Sequence, residues 1–443
     1  MREIYLNREI SQLAFISRVL AIAEDPAQPL LERIKFLAIS GQNLDHFFQV
    51  RVGALQTQVE MRVKALSLDG LSATEQLEEL RPRVQALIER QADVFSKDLL
   101  PELAQSGIVI ETWDGLDANA RADLSRYFDE QVFPVLTPLS VDPTHPFPYI
   151  SNLSLNLALA VVDPDTGQHR FARVKIPPLL PRFLPFGDPG HFVPIEQVIA
   201  AHTEALFPGT ESLSCHPFRV TRDADLAIEE SDAGDQLVAV ASALQRRLRM
   251  NAAVRLEVPP AMSEQLRQIL ASELDLDATD IYCTRAPLDL GGLWFLHGID
   301  RPDLKHSEPT HVTPVELRSA DDGTPCDFFA LLRKRDLLVH HPYESFSGTV
   351  EAFLAQAAED PDVLAIKHTL YRTSSPTNRI MGSLIQAAAE GKEVVSLVEL
   401  TARFDEAANI GWARALEEAG VHVVYGMVGL KAHGKTSLVV RRE

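Results

Sequence analysis

The chain has 443 residues, 46% of them hydrophobic, with a formal net charge of −20 and a mean hydropathy of −0.03. That length exceeds one ordinary domain, the composition supports buried cores, and no apolar run approaches the roughly 18 residues of a membrane span. The acidic balance excludes a general nucleic-acid binder, but it is uneven: Leu331 to Glu443 holds 13 Lys and Arg against 14 Asp and Glu, so the excess lies upstream.

Residues 1–103 read as mostly helical. Leu13, Phe15, Ile16, Val19, Leu20 and Ile22 recur at helix spacing, and Asp25-Pro26 and Gln28-Pro29 break the pattern. Leu30 to Ile39 resumes it, and Gly41-Gln42-Asn43 reads as a second interruption. Two longer helices follow, Leu44–Val59 and Thr74–Leu99, with Asn43 placed as the N-cap of the first. From 104 to 312 the prolines cluster and strand candidates appear at Leu153–Val162, Phe171–Ile176 and Phe218–Thr221. Helices are expected at Asp235–Met250 and Met262–Leu274. This is an α+β domain with long loops. Cys215, Cys283 and Cys326 are far apart, odd in number and without metal-ligand spacing. With no secretory pattern at the N-terminus, they point to a reducing cytoplasm.

Asp303–Cys326 reads as a linker, and beyond it, in 313–443, a βα rhythm begins. Strands are expected at Leu337–Val339, Val363–Leu370, Val394–Leu400 and Val421–Tyr425. Helices alternate with them at Gly348–Ala357, Asn378–Ala389 and Asp405–Ala419. Such alternation implies a parallel or mixed sheet, whose ligands sit beyond the carboxyl ends of the strands. Arg372 follows one strand and Arg403 another. After the last strand comes a Gly-punctuated loop carrying His433-Gly434-Lys435. Guanidinium forks clamp phosphate oxygens, an imidazole can attack phosphorus, and an ammonium offsets the charge of the transferring group. On an extended segment His433 and Lys435 would point to one side. No Walker-type loop is present, so side chains would hold the phosphates. The bland alternatives are Arg372 and Arg403 paired with neighbouring carboxylates, and His433 and Lys435 as a solvated strand start.

Several stretches together resemble the bacterial, histidine-phosphorylated polyphosphate kinase family. They include Asn7–Phe15, Pro29–Ala38, Asn43–Arg51, Phe133–Leu139, His145–Tyr149, His341–Phe346, Ile366–Thr373, Val398–Asn409 and Gly429–Lys435. The resemblance implies a multidomain α+β and α/β fold: an N-terminal helical domain, an α+β head domain and an incomplete phospholipase-D-like domain. It implies reversible transfer of the γ-phosphate of ATP to inorganic polyphosphate, as an ATP:polyphosphate phosphotransferase, through a phosphohistidine on His433. Lys435, Arg372 and Arg403 would be catalytic and Asn43 a nucleotide contact. Mg2+ belongs beside Arg372 and Arg403. A guanidinium has no lone pair to give, so these residues would reach magnesium only through phosphate. A homo-oligomer is implied, in the cytoplasm or peripheral at the inner membrane face, with no nucleic-acid partner and no transmembrane segment. Family members continue past the position of Glu443, so the chain reads as a truncated product or fragment. A non-catalytic module for binding or subunit assembly is therefore the alternative function. A phospholipase-D-like hydrolase ranks below both, because Val440 stands five residues after Lys435 where that pattern needs Asp.

Overall fold

The structure, a computed structural model, describes residues 4–141, 147–162, 164, 167, 169–224, 251–318, 326–371, 379–400, 405–426 and 432–443. The described residues up to His306 form one compact unit and those from Ser307 a second.

The first unit begins with helices. In α1 (Arg8–Glu24) Leu13, Ile16, Leu20 and Ala23 are buried, a stripe at helical spacing. Its start is fixed by Asn7, whose side chain accepts the backbone N–H groups of Glu9 and Ile10. Helix α2 spans Leu30–Phe47 and runs through the expected interruption at Gly41–Asn43. Its buried face continues without a break from Leu37 and Ala38 to Gly41, Leu44 and Phe47. Gly41 packs there because a Cβ would fall 2.6 Å from Leu290 Cβ. The glycine serves close packing rather than ending the helix, and Asn43 is an interior residue, not an N-cap. Expected Leu44–Val59 divides into the end of α2, a π-turn at Phe48–Val52 and α3 (Gly53–Glu60). Helix α4 (Ala73–Asp93) starts on a capping box between Ser72 and Glu75.

Nine strands follow: β1 (Val109–Ile110), β2 (Pro138–Val141), β3 (Leu155–Val162), β4 (His169–Lys175), β5 (Phe183–Pro185), β6 (His191–Pro194), β7 (Glu211–Arg222), β8 (Ala253–Val258) and β9 (Ile281–Cys283). Six of them form one sheet in the order β2-β4-β3-β7-β8-β9, antiparallel except for the β8–β9 pair. Strand alternation sends Leu157, Leu159, Ala172 and Val174 to one core and Ala158, Phe171, Phe218 and Val220 to another, so both faces are covered. The N-terminal helices share a core with Phe183, Val254, Tyr282 and Leu293. A helix at Glu264–Leu274 matches the expected Met262–Leu274. The expected helix at Asp235–Met250 lies outside the described residues.

The second unit has a four-stranded sheet, order β12-β11-β10-β13, built from β10 (Val363–Leu370), β11 (Glu393–Val398), β12 (His422–Tyr425) and β13 (Ser437–Arg441). Helices Arg379–Ala389 and Glu406–Glu418 cross between the parallel strands, as the sequence rhythm predicts. Leu337–Val339 is not a strand. Leu338 is 96% exposed and has no core to fill.

Candidate active site

The parallel strands β10, β11 and β12 end at a common edge, their last residues in register as Leu370, Val398 and Tyr425. Strand β13 runs antiparallel to β10 and opens with Ser437 opposite His368. The segment entering β13, which carries His433 and Lys435, is therefore brought to that same edge. It is not extended strand, since regular pairing starts only at Ser437. His433 and Lys435 nevertheless meet, and the reason is Tyr371, the first residue after β10. The His433 ring stands edge-on to the Tyr371 ring with centroids 5.2 Å apart. Lys435 Nζ sits 3.9 Å from the centroid of Tyr371 and donates to the carbonyl of His433 at 2.7 Å. His433 and Lys435 are both exposed, so the imidazole and the ammonium face solvent side by side.

Beneath them lies a buried polar frame. Glu399, 3% exposed and one residue past β11, accepts the Ala432 backbone N–H through Oε2 at 2.8 Å. Asn409 of helix Glu406–Glu418 donates from Nδ2 to the carbonyls of Tyr371 at 3.0 Å and Glu399 at 2.9 Å. One amide thus ties the ends of β10 and β11 together, and the Glu399 carboxylate ties that pair to the residue before His433. Thr369 N–H donates to Thr436 O at 2.9 Å, and His368 Nδ1 lies 2.7 Å from Ser437 Oγ. Burial pushes His368 down to about 4, so its ring is neutral at ordinary pH.

Of the residues the sequence singles out, His433 and Lys435 are brought together in the second unit. Arg372 and Arg403 lie outside the described residues. Asn43 belongs to the first unit, half-buried in the last turns of α2. Beside it Gln42 accepts the Trp294 indole N–H at 3.0 Å, and buried Asp45 accepts from Arg219 and Arg255. Tyr371, Glu399 and Asn409 escape a reading based on charge motifs. Their sequence signals are position, each at a strand end or in the helix after it, and a place within the stretches Ile366–Thr373 and Val398–Asn409 that carry the resemblance. Among the described residues no cluster of three or more His, Cys, Asp or Glu side chains is placed to hold a metal ion.

Comparison with known proteins agrees in every part of the chain. The family models described as polyphosphate kinase N-terminal domain, middle domain and C-terminal domain 1 match residues 5–111, 119–296 and 327–443. The chain belongs to the polyphosphate kinase family. A relative named polyphosphate kinase from Streptomyces coelicolor is 52% identical over 439 residues, which cover 99% of this chain and 58% of the relative. One of the same name from Mycolicibacterium gilvum is 53% identical over 445 residues, covering 99% and 60%. The crystal structure of polyphosphate kinase from Porphyromonas gingivalis superimposes with a TM-score of 0.79 at 27% identity, covering 99% of this chain and 62% of that one. The chain thus spans about three-fifths of the length of these relatives.

Proposed function

We propose that this chain carries the phosphoryl-transfer chemistry of a polyphosphate kinase, with His433 as the group that takes the γ-phosphate of ATP. The observation that carries the reading is the pairing of an exposed imidazole with an ammonium on the Tyr371 ring at the strand-end edge. A neutral imidazole nitrogen attacks phosphorus in line. A P–N bond forms as the bond to the bridging oxygen breaks, and ADP leaves. The terminal oxygen of a polyphosphate chain then attacks the same phosphorus and the P–N bond breaks. Because a phosphohistidine keeps much of the transfer potential, the sequence runs in both directions. Lys435 offsets charge on the equatorial oxygens, where most of the stabilisation of such a transfer is found. Arg372 and Arg403 are proposed as phosphate clamps, and Asn43 as a contact to the nucleotide. Magnesium fits as a companion of the nucleotide, held by phosphate and water. The described edge offers two buried carboxylates, Glu399, which is engaged by Ala432, and Glu406 at the start of the following helix.

The experiment is incubation of the purified chain with γ-labelled ATP and magnesium. Acid-labile, base-stable label on protein is expected, and its loss in His433→Ala. Label retained by that variant, or none on the unsubstituted chain, overturns the assignment. The relatives that match 99% of this chain are named kinases, so a purely non-catalytic module is the less favoured reading. A homo-oligomer is part of the proposal. A single protomer mass in light scattering across a hundredfold dilution series would remove it. Among the described residues no helix is long and apolar enough to cross a membrane.

A further inference from the structure

The six-stranded sheet holds a second group of cations, one that the chemistry at His433 does not use. Arg173 of β4 is 5% exposed. Its Nε donates to Asn156 Oδ1 at 2.8 Å, and Asn156 is fully buried and fixed in turn by Ser154. The Nη2 of Arg173 is buried and, among the described residues, meets no acceptor. Lys175 lies two residues along the strand and so on the same face. Its ammonium donates to Ser151 Oγ at 3.0 Å. Arg222 of β7 is a third cation of the sheet, donating to the carbonyls of Ile150 and Asn251 and covering the Tyr149 ring at 4.3 Å. Among the described residues none of these three cations has a carboxylate partner.

That arrangement is unusual in a chain with 62 Asp and Glu against 42 Lys and Arg. Elsewhere in the same sheet the buried cations are matched: Arg219 and Arg255 are both paired with Asp45 and Glu257. Removing a guanidinium from water without a counter-charge is costly, and an unmade hydrogen bond adds to the cost. Burial pushes Arg173 down to about 10. It also pushes Lys175 down, with the Arg173 charge as the second cause. An anion placed between them would relieve both. Lys175 and Ser151 are half-buried and Tyr149 and Asn152 exposed, so the rim of the group is open to solvent.

We propose that Arg173 and Lys175, positioned by Asn156 and Ser151, form a binding site for a phosphate-bearing anion on the six-stranded sheet. A planar guanidinium fork with free N–H groups matches two phosphate oxygens, and the ammonium supplies a second, more mobile charge. The site stands on the geometry of the first unit and does not depend on the role of His433.

The test uses the full chain carrying both His433→Ala and Lys435→Ala, titrated calorimetrically with tripolyphosphate, orthophosphate and ATP. Tripolyphosphate binding is expected to persist in that background and to weaken about tenfold when Lys175→Gln is added. Arg173→Gln is expected to weaken it at least as much. Lys175, being half-buried, reports on the site even if the buried Arg173 variant fails to fold. A preference for tripolyphosphate over orthophosphate and ATP identifies a phosphate chain as the ligand, equal binding of orthophosphate identifies free phosphate, and a preference for ATP identifies the nucleotide. Absence of binding in the double variant, or binding unchanged by Lys175→Gln, overturns the proposal.

Discussion

Tyr371 is the residue on which the arrangement of His433 and Lys435 depends. His433 and Lys435 are exposed and precede the regular strand pairing, and within their own segment one contact joins them, from Lys435 Nζ to the His433 carbonyl. The Tyr371 ring meets both side chains, through an edge contact on one side and a cation–π contact on the other. An exposed contact of the second kind contributes about 0.5–1 kcal/mol. Tyr371→Ala is therefore expected to slow phosphorylation of the chain by roughly two- to fivefold, while Tyr371→Phe keeps the ring and most of the rate. Single-turnover labelling from ATP measures both, and equal rates for the two variants would remove the ring from the site. The His-x-Lys motif was legible in the sequence because it is local. Tyr371 was not, since a tyrosine after a strand is most often ordinary packing, and only the return of the chain 62 residues later gives it a partner.

At the scale of elements, the edge is held by a seam between β10 and β13. The seam carries the His368–Ser437 hydrogen bond and the contact from Thr369 to Thr436. His368 is neutral because it is buried, which makes the seam sensitive to acid. Its folded pKa of about 4 lies below the ordinary histidine value of 6.5. The unfolded chain therefore binds the extra proton first as pH falls. Stability from this residue is fully present above about pH 6.5 and is lost as pH drops towards 4, by up to about 3 kcal/mol. Denaturant unfolding of the chain between pH 7 and 4 is expected to show this slope, and His368→Gln to flatten it. A slope unchanged by the substitution would place the acid sensitivity elsewhere. The βα rhythm of this unit was readable because strand and helix periods differ and each element closes on a glycine turn, at Gly391 and Gly420. The same signal failed at Leu337–Val339. Three apolar residues satisfy a strand pattern, but among the described residues no strand pairs with them.

Across the molecule, the strongest long-range tie in the first unit is Asp45. It sits 7% exposed on α2 and accepts from Arg219 Nη1 at 2.7 Å, and from Arg255, out of the six-stranded sheet. Burial opposes its ionisation, yet the two guanidinium groups outweigh burial and hold its carboxyl below the usual range. Its contribution is therefore present above about pH 4 and is lost as pH falls through the lowered folded value. Asp45→Ala leaves two buried cations sharing Glu257, with Asp289 3.5 Å from Arg219, and is expected to destabilise the first unit by about 3–5 kcal/mol in urea unfolding. A loss below about 1 kcal/mol would mean that Glu257 and Asp289 suffice to neutralise the pair.

The sequence by itself determined the strand–helix alternation from Val363 to Tyr425, the family, and the presence of His433 and Lys435 after the last parallel strand. These follow from backbone periodicity and short motifs, which depend on near neighbours in the chain. Only the tertiary structure decided that Gly41 is a packing contact rather than a helix end, that Asn43 is interior to α2, and that Tyr371 sets the reactive pair. It alone shows that Asp45 bridges to residues 174 and 210 positions away, and that Arg173 has no carboxylate partner among the described residues. Charge pairing and close approach are properties of space, and residues far apart in the chain carry no local signal of the partner they will meet.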